Sequence, residues 1–144
     1  VNCYLKTHAQ VTEPLWDSEL PARQALETAL TNSARMQYGP EHPRGCMVAL
    51  SAMFTCPAEN RHILQPLEES RRRTREGIMH CVKRGISSGE LSDNEDTLAL
   101  AVSFDSFLVG ISTLARDNVP LAAVERAIIH MMGLWDAARV VAQE

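Results

Sequence analysis

Leu100, Phe104, Phe107, Ile111 and Leu114 fall at i, i+4, i+7, i+11 and i+14, the spacing of one continuous apolar face on an α-helix. A second face of the same stretch holds Ala99, Val102, Ser103, Ser106, Gly110 and Thr113, all small or β-branched. Asp105 is the lone charge between Asp96 and Arg116. Helices apolar nearly all round are buried nearly all round. In a chain of 144 residues the second side is best covered by another subunit, and small residues let two helix backbones approach closely. Ser92 with Glu95 has capping-box spacing and predicts a helix over about 94–116. Asp117-Asn118 then form a turn, and Pro120 suits the first turn of a second helix over 120–142. The pair reads as an αα-hairpin for homodimerisation, with Ala127, His130 and Leu134 on its second helix completing the interface.

The same patterning divides the rest of the chain. Residues 1–10 read as the end of a helix, and 11–20 as a loop with Pro14, Asp17 and Ser18 as turn residues and Trp16 as an apolar plug. Pro21 opens a helix to about Tyr38, with Ala22, Leu26, Ala29, Leu30 and Met36 on its apolar side, stopped by Gly39-Pro40. After a second loop, 46–55 is a short, mostly apolar helix containing Met47, Val48, Leu50, Met53 and Phe54. A helix over 58–83 follows, kinked or restarted at Pro66, with Ile63, Leu67, Ser70, Thr74, Ile78 and Cys81 inward. Gly85 and Gly89 punctuate the turn into the hairpin. With no strand, repeat or low-complexity segment, the fold is predicted to be all-α. It is an antiparallel bundle of about six helices, whose last two form a four-helix bundle with a second copy.

Composition supports that class: 45% hydrophobic and 22% charged residues are ordinary for one globular domain, and 5% aromatics favour helices over strands. The net charge of −4 gives no overall pull on nucleic acid. No apolar run approaches a membrane span, and no signal peptide is visible. Cys3, Cys46, Cys56 and Cys81 contain no C-x-x-C pair. On one helix, Cys46 and Cys56 would lie roughly 15 Å apart, beyond disulfide reach, so the thiols fit a reducing cytoplasm. Val1-Asn2-Cys3-Tyr4-Leu5 looks like the middle of a helix, which suggests that the beginning of a larger protein is not included.

Chemistry-bearing motifs are sparse. Glu59-Asn60-Arg61-His62 has the E-x-x-H spacing of di-iron bundles, but no second copy accompanies it, so it reads as surface helix. No Cys/His set has zinc spacing, and no metal or cofactor is expected. Arg71, Arg72, Arg73 and Arg75 read as a solvated face opposite Glu68 and Glu69, with a contact to DNA backbone as the alternative. His80-Cys81 is no nucleophile–base pair, because adjacent helical residues point about 100° apart. Nothing favours catalysis. Met36, Leu50, Met53, Phe54, Ile78, Phe104 and Phe107 are either solid core or the wall of a small-molecule pocket, with Ser70, Thr74 and Asp105 as its orienting polar groups. Few charges in that lining would select a small apolar or aromatic ligand.

Arg44-Gly45-Cys46-Met47-Val48, opening a short helix after a Pro-rich loop, resembles the start of the sixth helix of tetracycline-repressor (TetR) family regulators. Gly89-Glu90-Leu91-Ser92, Asp96, Gly110-Ile111-Ser112 and Ala115-Arg116-Asp117 continue the likeness through the family's eighth and ninth helices, so that it covers about Pro21 to Trp135. The resemblance implies a ligand-sensing and dimerisation domain of a transcriptional regulator, usually a repressor. Its partners would be a second copy, a small-molecule effector, and operator DNA bound through an N-terminal helix-turn-helix domain not in this chain. Residues 1–10 would match the end of the helix linking the two domains. An all-α enzyme or metal protein and a thiol-based redox sensor are the alternatives.

Overall fold

Helix α2, Ala22–Gln37, is the one the others surround, and half of its residues are buried. The computed structural model describes residues 2–41, 43–94 and 96–139. Around α2 stand α1 (Asn2–Thr12), α3 (Met47–Leu50), α4 (Arg61–Ser87), α5 (Thr97–Arg116) and α6 (Leu121–Ala137), with 3₁₀ turns at Glu13–Trp16, Ser51–Met53 and Ala58–Asn60. Ala22, Ala25, Ala29 and Ala34 line the buried side of α2, and such small side chains let neighbouring helices pack close to its backbone. The chain is all-α, as its patterning predicts.

Two apolar clusters form. The larger joins Leu26 and Leu30 of α2, Ile78 and Val82 of α4, Phe104 and Ile111 of α5, and Ile128, Met132 and Trp135 of α6. The smaller gathers Cys46, Val48, Ala49 and Leu67, with Tyr4, Met36, Leu64 and Val109 against it.

Several boundaries depart from expectation for local reasons. Helix α5 starts at Thr97, not near Asn94: its N-cap is Asp96, whose Oδ1 accepts the Ala99 N–H at 3.0 Å. Ser92 is engaged elsewhere, its N–H donating to Ala138 O and its hydroxyl accepting from Asn94 N–H, and Glu95 lies outside the described residues. A bridge from Leu91 to Arg139 holds this segment extended along the end of α6. Helix α6 ends at Ala137, and the predicted continuation over 140–142 lies outside the described residues. The turn between α5 and α6 does use Asp117-Asn118. Asn118 takes the left-handed conformation, and Val119 N–H and Asn118 N–H close back onto Leu114 O and Ala115 O.

Helix α1 runs on to Thr12, and Leu15 rather than Trp16 is the fully buried plug of the following turn. Helix α4 is continuous through Pro66, and Leu64 rather than Ile63 turns inward. Gly85 lies inside α4 instead of ending it. A Cβ there would sit 2.8 Å from Leu91 Cδ1 and from the Trp135 ring, both buried. Gly85→Ala is therefore expected to destabilise the fold. Overpacking of about 1–3 kcal/mol outweighs the roughly 1 kcal/mol gained in helix propensity; a thermal melt of the variant checks the sign.

The buried stripe of α5 is Ala101, Phe104, Asp105, Leu108, Ile111, Ser112 and Ala115. It is rotated from the expected Leu100–Leu114 face, because two of its members are polar and an apolar pattern cannot count them. Contrary to expectation, α5 is by length and composition apolar enough to cross a membrane. Its stripe nevertheless packs on protein, with Asp105 paired to Arg75 at 2.8 Å. The opposite face of the hairpin is open: Leu98, Val102, Ile129 and Leu134 are 58%, 45%, 67% and 42% exposed.

Candidate functional site

Between the two apolar clusters lies a polar layer with a small cavity in it. Helix α1 contributes His8, α2 contributes Ser33 and Gln37, α4 contributes Arg71 and Thr74, and α5 contributes Asp105, Leu108 and Val109; Cys46, Val48 and Ala49 close the remaining side. The volume is about 20 Å³, enough for one water.

The layer is cross-linked. Ser112 Oγ donates to Gln37 Oε1 at 2.8 Å, and Gln37 Nε2 donates to Ser33 Oγ at 3.2 Å. Thr74 Oγ1 donates to Ser70 O at 3.1 Å, and Ser70 Oγ meets His8 Nδ1 at 3.3 Å. Asp105 Oδ2 accepts from Arg75 Nε at 2.8 Å. Arg71 Nη1 donates to Val48 O at 3.0 Å and to Ser51 Oγ. Among the described residues no buried side-chain nitrogen or oxygen lacks a partner, so a ligand here must exchange partners rather than fill a vacancy.

Burial disfavours the charged form of His8 and lowers its pKa from 6.5. The unfolded chain therefore binds a proton that the folded chain resists, and stability falls as pH drops below about 6.5. Asp136, held below its usual value by Arg23, acts only beneath pH 3.8, so the window between separates the two. Melts at pH 7 and pH 5 should show the loss, and His8→Gln should flatten it.

Of the pocket residues expected from sequence, Thr74 and Asp105 line the cavity and Ser70 sits one hydrogen bond behind. Ile78 and Phe104 are fully buried in the larger cluster and Phe107 packs on its margin. Met36 packs on the smaller cluster and Leu50 is half-buried. Met53 and Phe54 stand 72% and 62% exposed. None of these seven lines the cavity. The lining is accordingly more polar than expected, with His8, Ser33, Gln37 and Arg71 unforeseen. Arg71 is not on the solvated face expected of it: it is half-buried and bonded into this layer, whereas Arg75 is exposed as expected, with its Nε reaching in to Asp105. Arg73 pairs with Glu13 at 3.1 Å, and Arg72 with Glu76 at 4.0 Å. Glu59 and His62 are exposed on the first turns around α4.

On the hairpin, Ala99, Val102, Ser106 and Thr113 are exposed, with Ser103 and Gly110 half-buried beside them. Across from these, His130 and Leu134 are exposed and Ala127 half-buried. The expected interface residues thus share the open face of α5 and α6.

No protein-family model matches the sequence, and no curated protein matches it. Two solved structures do. Both are cysteine-substituted forms of the TetR family transcriptional regulator CifR, complexed with 26-bp double-strand operator DNA. Each is 26% identical with a TM-score of 0.79, and the matches cover 92% and 93% of this chain and 69% of CifR. The likeness, in fold and over more than nine-tenths of the chain, is thus to a TetR family transcriptional regulator, the family that the sequence resembles.

Proposed function

We propose that this chain is the effector-sensing and dimerising part of a DNA-binding transcriptional regulator, a repressor released by a small molecule. The observation that carries this reading is His8. It lies on α1, the first described helix, yet it walls a cavity built mainly by α2, α4 and α5. A ligand in that cavity touches α1 directly. In the proposed arrangement α1 leads to the operator-binding segment, outside these residues, so its displacement alters the spacing of two DNA-binding heads. CifR, the similar regulator, was solved on operator DNA, and its likeness supports DNA as the partner here.

The response is a population shift. A ligand that binds one α1 position more tightly than the other moves the equilibrium by that difference in affinity and no more. The apolar open face of α5 and α6 would bury against a second copy, making the homodimer that a two-headed operator complex needs. The polar lining favours an effector with more hydrogen-bonding groups on its apolar body than the largely apolar or aromatic molecule expected from sequence. A cytoplasmic location follows from the same reading. Thermal melts of the chain against a panel of small amphipathic compounds test it: a ligand of this cavity stabilises in proportion to its saturation. A flat response across the panel would count against sensing.

A thiol-based response is the second reading, and one observation favours it: Cys46 walls the cavity and hydrogen-bonds Tyr4. Cys81 is a poor candidate, since burial pushes its thiol up to about 11. If Cys46→Ser keeps the full response of the chain to mild oxidation, this reading fails.

A further inference from the structure

Arg71 stands between two spaces. On its inner side it walls the cavity. On its outer side it borders an open groove of about 930 Å³ between the Ser51–Cys56 stretch and α4, shared with Arg61, Arg72 and Arg75 and with Glu68 and Glu69. The charges around it are not equally answered. Arg75 has Asp105 at 2.8 Å and Arg72 has Glu76 at 4.0 Å. Arg71 meets neutral oxygens: the Val48 carbonyl and the Ser51 hydroxyl. A half-buried guanidinium that carries no carboxylate is poised for an anion, which its planar fork would hold by two charge-assisted hydrogen bonds.

Both of Arg71's present acceptors belong to the 46–53 stretch, so this one side chain also ties that stretch to α4. The tie matters because the cavity has room for only one water. A larger ligand can enter only if the wall moves, and the apolar surface behind Arg71, made by Val48, Ala49, Leu108 and Val109, would receive its tail.

Building on the effector-sensing reading, we propose that the effector is a small carboxylate with an apolar tail. Its two oxygens pair with Arg71, its tail enters the cavity, and Arg71 releases Val48 and Ser51, freeing the stretch that closes the wall. A neutral amide would only exchange one uncharged acceptor for another. A more highly charged anion would meet Glu68 and Glu69 at the groove's rim.

Calorimetric titration of the 144-residue chain with hexanoate and benzoate, against hexanamide and benzamide, tests this at neutral pH. The acids are expected to bind about tenfold or more tighter than the amides, as charge-assisted pairing to a guanidinium implies. Arg71→Gln should erase that preference, and Arg71→Lys, which keeps the charge but loses the fork, should restore it in part. The comparison of acid with amide needs no variant, so it stands even if a substitution impairs folding. Bound hexanoate should also speed backbone hydrogen exchange at Ser51–Phe54. Amides that bind as well as acids would overturn the carboxylate while leaving the effector cavity intact. Binding of neither set would overturn it as well, and the wider panel of melts then decides the sensing reading on its own.

Discussion

Gly110→Leu is expected to weaken the proposed homodimer about 5-fold or more while leaving the protomer folded. Gly110 sits in the small-residue face of α5, and a Cβ built on it meets nothing within 4 Å of its own chain. The added side chain therefore leaves the backbone into open space within its own protomer. It would gain helix propensity, since glycine is about 1 kcal/mol worse than alanine in a helix. Any penalty must come from a second copy whose helix approaches there, where overpacking costs typically about 1–3 kcal/mol, or roughly 5- to 150-fold in a dissociation constant. Sedimentation across a dilution series reads the effect directly, and a circular dichroism melt confirms that the protomer is intact. An unchanged dimer would place the seam off this face, despite the exposure of Val102, Ile129 and Leu134 beside it.

Trp135→Ala should cause the largest loss of stability. Trp135 is fully buried at the far end of α6, with its indole over Gly85 of α4 and its Nε1–H donating to Glu90 Oε1 at 2.9 Å. It thereby joins α6, α4 and the extended segment before α5. Truncating such a side chain costs about 3–5 kcal/mol in transfer and cavity terms. For a chain of this size that corresponds to a melting temperature lower by on the order of 10 °C. Ile129, on the same helix but open to solvent, supplies the contrast. Ile129→Ala should change the protomer's stability by no more than about 0.5 kcal/mol, its effect appearing instead in the dimer. Equal losses from the two substitutions would mean that the burial pattern of α6 is wrong.

What could be read from sequence follows from what kind of signal each element leaves. The hairpin was legible because its apolar spacing runs without interruption and its turn carries Asp117-Asn118 and Pro120. The exact buried stripe of α5 was not. Asp105 and Ser112 belong to it, and polar members are invisible to a count of apolar positions. The same blindness hid most of the site. Thr74 and Asp105 stood out as polar groups on otherwise apolar helices, whereas Ser33 and Gln37 lie among the alanines of α2 and His8 on a helix too short for a reliable period. Met53 and Phe54 were misplaced by extending the 46–55 helix past Leu50. There the backbone tightens into a 3₁₀ turn, Ser51 Oγ donates to Val48 O at 2.7 Å, and the two large side chains swing to solvent. Arg71 could not be assigned because a run of arginines on a helix looks solvated until the neighbouring segment is placed against it.

In the proposed reading, an effector is sensed in the layer between the two apolar clusters. Amide-resolved NMR of the 144-residue chain during titration with a library of small amphipathic compounds tests it most directly. For any compound that binds, the perturbed amides should centre on Ser33, Gln37, Thr74, Asp105 and Val109 and spread to His8 on α1. Binders that perturb only the outer groove or the α5–α6 face, with those amides unmoved, would contradict it.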